Sequence, residues 1–121
     1  MTKIKNRYQA ESNFCKLFFE AGQTLNIPKY GESCHRGERS DFSAAVIRAM
    51  HQCEFDDPHF IGGPGAFIFA KSHTDVERIF RRAEPIAEEL CKALEAIDPT
   101  KARDFRTRLM EINTWMLQAA E

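Results

Sequence analysis

The chain has 121 residues, a length at which one hydrophobic core suffices, because such a chain buries roughly two-thirds of the surface its unfolded form exposes. With 43% hydrophobic residues, 29% charged residues and 10 phenylalanines it is too apolar for a disordered chain, and no apolar run approaches the ~20 residues of a membrane-spanning helix. A formal net charge of -1 excludes an overall field that would attract nucleic acid or an anionic membrane, so either role would need a local basic patch.

The opening stretch MTKIKNRYQAESNF carries basic residues but lacks the apolar core and small-residue cleavage site of a secretory signal, and the expected location is cytoplasmic. Cys15, Cys34, Cys53 and Cys91 are spread singly, without CxxC spacing, as reduced thiols would be. Periodicity predicts a first helix over about Thr2 to Leu25, with Ile4, Tyr8, Phe14, Cys15, Phe18, Ala21 and Leu25 turned inward. Arg7 and Glu11 intrude on that apolar arc one turn apart. Charges carried into a core need partners, and Glu11 is expected to pair with Arg106 of the last helix. Gly22, on the same side, permits another helix to come close or marks fraying ahead of Pro28.

A loop over residues 26–40 follows, in which Cys34 stands beside His35 with Arg36 and Arg39 nearby, the best candidate for a thiol of lowered pKa. The second helix, about Asp41 to Glu54 and capped by Ser40, has a core face of Phe42, Ala45, Val46, Ala49, Met50 and Cys53. Ala44, Ile47 and His51 form a weaker apolar strip on its back. A helix with two apolar sides is central, covered by a loop, or part of an interface.

The stretch HQCEFDDPHFIGGPG, residues 51–65, gathers histidine, cysteine and acid ahead of a glycine-rich turn. Residues two apart on a helix point in nearly opposite directions, so His51 and Cys53 cannot grip one ion while the helix lasts. A metal- or thiol-dependent enzyme would instead draw Cys34, His35, His51 and His59 together from two loops; the paired cysteines of a deaminase-type zinc site are absent. FIGGPGAF lacks the Lys-Ser/Thr ending of a P-loop, although amides at Gly65 and Ala66 could serve an anion if Pro64 opens a helix. AFIFA, residues 66–70, is too apolar for an exposed loop and is expected to pack on the bundle as a short extended segment or a helical turn. Phe55, Phe60 and Phe67 would then cover the back of the second helix; otherwise they form an exposed aromatic patch, the mark of an interface.

The third helix is predicted over Thr74 to Ile97, with a stripe of Val76, Ile79, Phe80, Ala83, Ile86, Ala87, Leu90, Cys91, Leu94 and Ile97, capped by Ser72 or Thr74. Pro85 projects opposite the stripe and implies a bend rather than a break. Arg78, Arg81 and Arg82 share one flank but are interleaved with Glu77, Glu84 and Glu88, the pattern of a salt-bridged solvent face. Asp98 or Thr100 then caps a last helix to about Ala119, antiparallel to the third. It buries Ala102, Phe105, Leu109, Ile112, Met116 and Ala120, while Trp115 falls off the stripe, beside Asp104, Arg108 and Glu111.

These readings define one all-α domain, residues 1–121: a compact bundle of four main helices with two long loops, 26–40 and 55–73. The leftover side chains point to a non-enzymatic interaction protein, a small accessory regulator or inhibitor that docks on a larger macromolecule or self-associates as a homodimer. Its candidate interface residues are Trp115, Arg108, Ile47, His51, Phe60, Phe67, Arg78, Arg81 and Arg82. No catalytic residue, metal, cofactor or membrane contact is assigned; a nucleic-acid accessory role through Arg78, Arg81 and Arg82 is the remaining alternative.

Overall fold

A computed structural model describes residues 3–28 and 42–120. The Ser40 cap and the Cys34, His35, Arg36 and Arg39 cluster lie outside the described residues. The elements are α1 (Arg7–Thr24), α2 (Ala44–Glu54), a 3-10 turn (His59–Ile61), a single helical turn α3 (Ala66–Phe69), α4 (His73–Ile97) and α5 (Pro99–Ala119). The architecture is all-helical and compact, four main helices in a bundle, with no strand among the described residues.

Helix α1 is the central rod, touching α2, α3, α4 and α5. That position is why it buries an unusually wide set, from Ala10 and Phe14 round to Leu17, Phe18 and Ala21. It starts later than expected, at Arg7, because Asn6 takes the cap and its side chain accepts from the Gln9 amide at 2.8 Å. Tyr8, placed inward by periodicity, is 69% exposed. At its other end α1 meets α2 at Gly22: a Cβ added there would lie 2.6 Å from Met50 Sδ and 2.8 Å from Cγ, so the close approach depends on hydrogen in place of a methyl group.

Helix α2 begins at Ala44, capped by Ser43, whose hydroxyl accepts from the Val46 amide and donates to Glu89 of α4. Its two apolar sides follow from its place between α1 and α4, with Val46, Ile47, Ala49, Met50 and Cys53 all buried. The first helical position on the expected core face, Ala45, is exposed.

Helices α4 and α5 form the tightest pair, an antiparallel hairpin with one residue at its bend. Asp98 closes α4 through its amide, donated to the Leu94 carbonyl, and opens α5 through its carboxylate, which accepts from the Thr100 amide at 3.0 Å, with Pro99 in the first turn. Ser72 caps α4 by accepting from Asp75 N. The helix runs unbroken through Pro85, which is exposed, so the carbonyl it leaves without a partner can meet water. Ile97, expected on the buried stripe, is 58% exposed because the stripe overshoots the core in the last turn.

The core centres on phenylalanine rings. Phe14 meets Phe18 at 4.5 Å, Phe67 at 5.2 Å, Phe60 at 5.9 Å and Phe80 at 6.1 Å between centroids, and Phe18 continues to Phe105 at 5.3 Å. One ring thus ties together α1, the 3-10 turn, α3 and α4. Phe14→Ala is expected to lower stability by about 3–5 kcal/mol, read as a shift in the denaturant midpoint. Gly22→Val should lower it by about 1–3 kcal/mol through the clash with Met50, and Met50→Ala in that background should restore part of the loss.

Candidate interaction surface

The surface is built on the segment between α2 and α4. After α2 the chain reverses at Asp56, a non-glycine residue held at φ 54°, with the Asp57 amide donated to the Gln52 carbonyl at 2.8 Å. Pro58 is buried and anchors the 3-10 turn. Gly62, Gly63 and Gly65 then take φ of 130°, 97° and 79°, values that L side chains rarely adopt, and swing the chain back onto α1.

What receives it is Glu11. One carboxylate oxygen accepts from the Gly65 amide and the other from the Phe67 amide, each at 3.2 Å. Of the two amides expected to serve an anion, Gly65 does so and the anion is the chain's own side chain; the second donor is Phe67, since the Ala66 amide is given to the Gly63 carbonyl at 3.1 Å and the helical turn opens at Ala66 rather than Pro64. The expected Glu11–Arg106 pair does not form: Glu11 faces the 65–67 backbone, whereas Arg106 is exposed and lies 3.5 Å from Glu95 across the hairpin. Arg7, the other intruding charge, donates to the Ala119 carbonyl at 2.8 Å, satisfying the C-terminal end of α5.

With Phe67 and Ala70 drawn inward, Ile68 and Phe69 of AFIFA are left outside. AFIFA is a helical turn, not an extended segment. Its Ile68 and Phe69 are 40% and 75% exposed. Beside them Tyr8, Glu11, Ser12, Asp56, Gly65 and Ile68 line a small pocket of about 240 Å³, and the Phe69 ring lies against Gly65. The result is a hollow that holds two carboxyl groups, edged by Tyr8 and Ile68, with the exposed Phe69 ring beside it on Gly65.

The structure distributes the sequence-derived candidates differently. Phe67 is fully buried and Ile47 nearly so, because α3 and α2 pack these residues into the bundle core. Phe60 is half-buried on Phe14 and Phe18, so Phe60 and Phe67 join the α1-centred ring cluster rather than covering α2. Of Phe55, Phe60 and Phe67, it is Phe55 that meets His51, edge-to-face at 4.9 Å, and Phe55 is itself 66% exposed. Trp115 is half-buried and packs against the core. It shares a flank of α5 with Arg108 and Ala119, which face α1 through Glu20 and Arg7, so that side of α5 is turned toward a neighbour rather than wholly to water. Arg108 also holds Asp104 at 3.2 Å.

Arg78, Arg81 and Arg82 are exposed, with Arg78 3.7 Å from Asp75, Arg82 against Gly62, and Arg81 bordering a groove with Glu77 and Glu84. They form no basic stripe free of acids. His59 sits in the 3-10 turn, its Nε2 3.0 Å from Asp57, while His51 lies near the end of α2 beside a separate hollow lined by Phe19, Gly22 and Met50. Among the described residues no group of three or more histidine, cysteine or acidic side chains could hold a metal ion. Cys15, Cys53 and Cys91 are free and buried. A hydrogen bond with the Cys15 thiol, burial and the Asp56 charge push Cys53 far above the usual thiol range; burial raises Cys91 against the opposing pull of Arg106. Comparison with protein-family models, curated proteins and solved structures finds no match to this chain.

Tyr8, Ile68 and Phe69 were not separable from the core residues by sequence. Tyr8 obeys the helical period of the buried face, and AFIFA gives no period long enough to say which of its rings turns outward.

Two outcomes check this geometry. Glu11→Gln leaves a single acceptor oxygen for two buried amides, so stability should fall by about 1–3 kcal/mol and the Phe67 amide should lose hydrogen-exchange protection more than the α4 amides do. In a Cys34→Ser background the three buried thiols should react with a disulfide reagent at neutral pH only at the rate of local or global opening, because the folded bundle shields all three sulfurs from the reagent.

Proposed function

We propose that this chain is a non-enzymatic binding module, a small cytoplasmic regulator that docks on a protein partner through the surface of Tyr8, Ile68 and Phe69. The observation that carries this reading is the pair of largely exposed rings, Tyr8 at the edge of a pocket and Phe69 beside it, on a backbone held by Glu11. Aromatic side chains left in water beside a concave site are the usual anchors of a protein interface, and a rigid support lowers the ordering cost of binding. Glu11 and Asp56 in the hollow, with no basic residue among the described residues that line it, suit a partner that inserts a lysine or arginine side chain between apolar contacts. Three buried thiols without a bridge are in keeping with a reducing compartment, and no described helix is long and apolar enough to cross a membrane.

The test is differential capture. Wild-type protein and the Tyr8→Asp and Phe69→Asp variants are immobilised and exposed to host extract, and the protein retained by wild type is purified and titrated against all three. Because both side chains project largely into solvent, the variants should keep the wild-type circular dichroism and melting temperature. Affinity should fall by about tenfold or more for each, the effect of losing one hot-spot ring. Equal retention by all three would remove this surface from the function.

A further inference from the structure

We propose that a second copy of this chain docks across the α4–α5 hairpin, on a groove remote in sequence from the Tyr8–Phe69 surface and independent of it. The groove is an open hollow of about 950 Å³ whose apolar floor includes Phe80, Leu109, Met110 and Leu117. Met110 is 67% exposed and the other three are half-buried, so an apolar strip runs along the solvent side of the hairpin. Its two edges differ in charge. On α4, Glu77, Glu84, Glu88 and Glu95 outweigh Arg81 and Lys92. On α5, Arg103 and Arg106 share the outward face with Met110 and Leu117, while Asp104 and Glu111 lie round on the flank toward α1.

An acidic edge and a basic edge flank one apolar strip, bridged near the bend by the exposed Arg106–Glu95 pair of the same chain, and the face is self-complementary once that solvent-screened pair is exchanged between copies. A two-fold axis parallel to the helices sets α4 of each copy on α5 of the other, antiparallel, and brings both acid–base contacts into register in one operation. Residues keep their height along such an axis, so Arg103 and Arg106 meet the neighbourhood of Glu88 and Glu95 in the second copy, and Met110 meets the apolar strip near Ala87. A foreign partner would have to supply both edges at the right spacing; a second copy carries them by construction. The helices are about 30 Å long and the pair about 20 Å wide, so the face offers about 600 Å² per chain, the lower end of specific interfaces. A dimer of micromolar affinity is the expected result, with four antiparallel helices at its centre.

The experiment is sedimentation equilibrium on the purified full chain from about 1 µM to about 1 mM. Wild type should follow a monomer–dimer equilibrium, weakening several-fold as salt rises from about 50 mM to about 500 mM. Met110→Glu should raise the dissociation constant at least about tenfold. The Arg103→Glu/Arg106→Glu and Glu88→Arg/Glu95→Arg variants should each be monomeric alone, since like charges then face each other at both contacts. Mixed in equal amounts they should form a heterodimer, seen by native mass spectrometry. All these positions are exposed, and a melting curve for each variant separates loss of association from loss of fold. A wild type that stays monomeric to about 1 mM, a dimer indifferent to Met110→Glu, or charge-swapped variants that do not rescue one another would each overturn the proposal.

Discussion

The placement of Phe14 is the constraint on which the rest of the molecule depends. A ring at the middle of the central helix meets rings from the 3-10 turn, from α3 and from α4, and hands the contact on through Phe18 to Phe105 of α5. Each pair is worth about 1 kcal/mol beyond the area it buries, and the larger effect is geometric, because five segments of chain are referred to one point. Glu11 lies three residues before Phe14 and therefore on nearly the same side of α1. An apolar hub and a charged hook, stacked one turn apart, hold the segment 60–67 from two directions.

That double attachment explains why a glycine-rich connection can display side chains. Left-handed glycines would ordinarily make such a stretch pliable, since they give up conformational entropy on ordering. Here two charge-assisted hydrogen bonds and a buried ring offset the cost, and the outward side chains of α3 inherit a fixed direction. The hairpin presents its surface in a different way. Its outward residues stand on two long helices already held against each other, so their spacing comes from helical geometry and not from loop chemistry.

Much of the architecture was legible because helices advertise themselves by period. The stripe of α4 and the Asp98–Pro99 restart follow from residue spacing and are present in the fold, and of the two readings open at Gly22, close approach or fraying, the close approach is the one found. The start of α1 was misplaced because an amphipathic pattern can continue past the point where capping stops the helix; Asn6 ends it, not the loss of hydrophobicity. The partner of Glu11 was not legible at all. The glycine-rich turn marks Gly65 as a possible anion donor, but nothing in the sequence couples that turn to Glu11, so the buried carboxylate is matched to a visible base such as Arg106 when its donors are the amides of Gly65 and Phe67. For the same reason the candidate surface shifted: one short turn decides that Phe67 goes in and Phe69 stays out, and four residues are too few to show a period.

Asp98 has a consequence for how this chain can vary. A single residue terminates one long helix and initiates the next, so the rotational phase of α5 is slaved to that of α4. Adding or removing one residue at the bend would turn every α5 side chain by about 100° and swing its inner face off the bundle toward a flank. Tolerated changes of length should therefore collect elsewhere, in the connection from 55 to 72, and the hairpin should pass from ancestor to descendant as a segment of constant count.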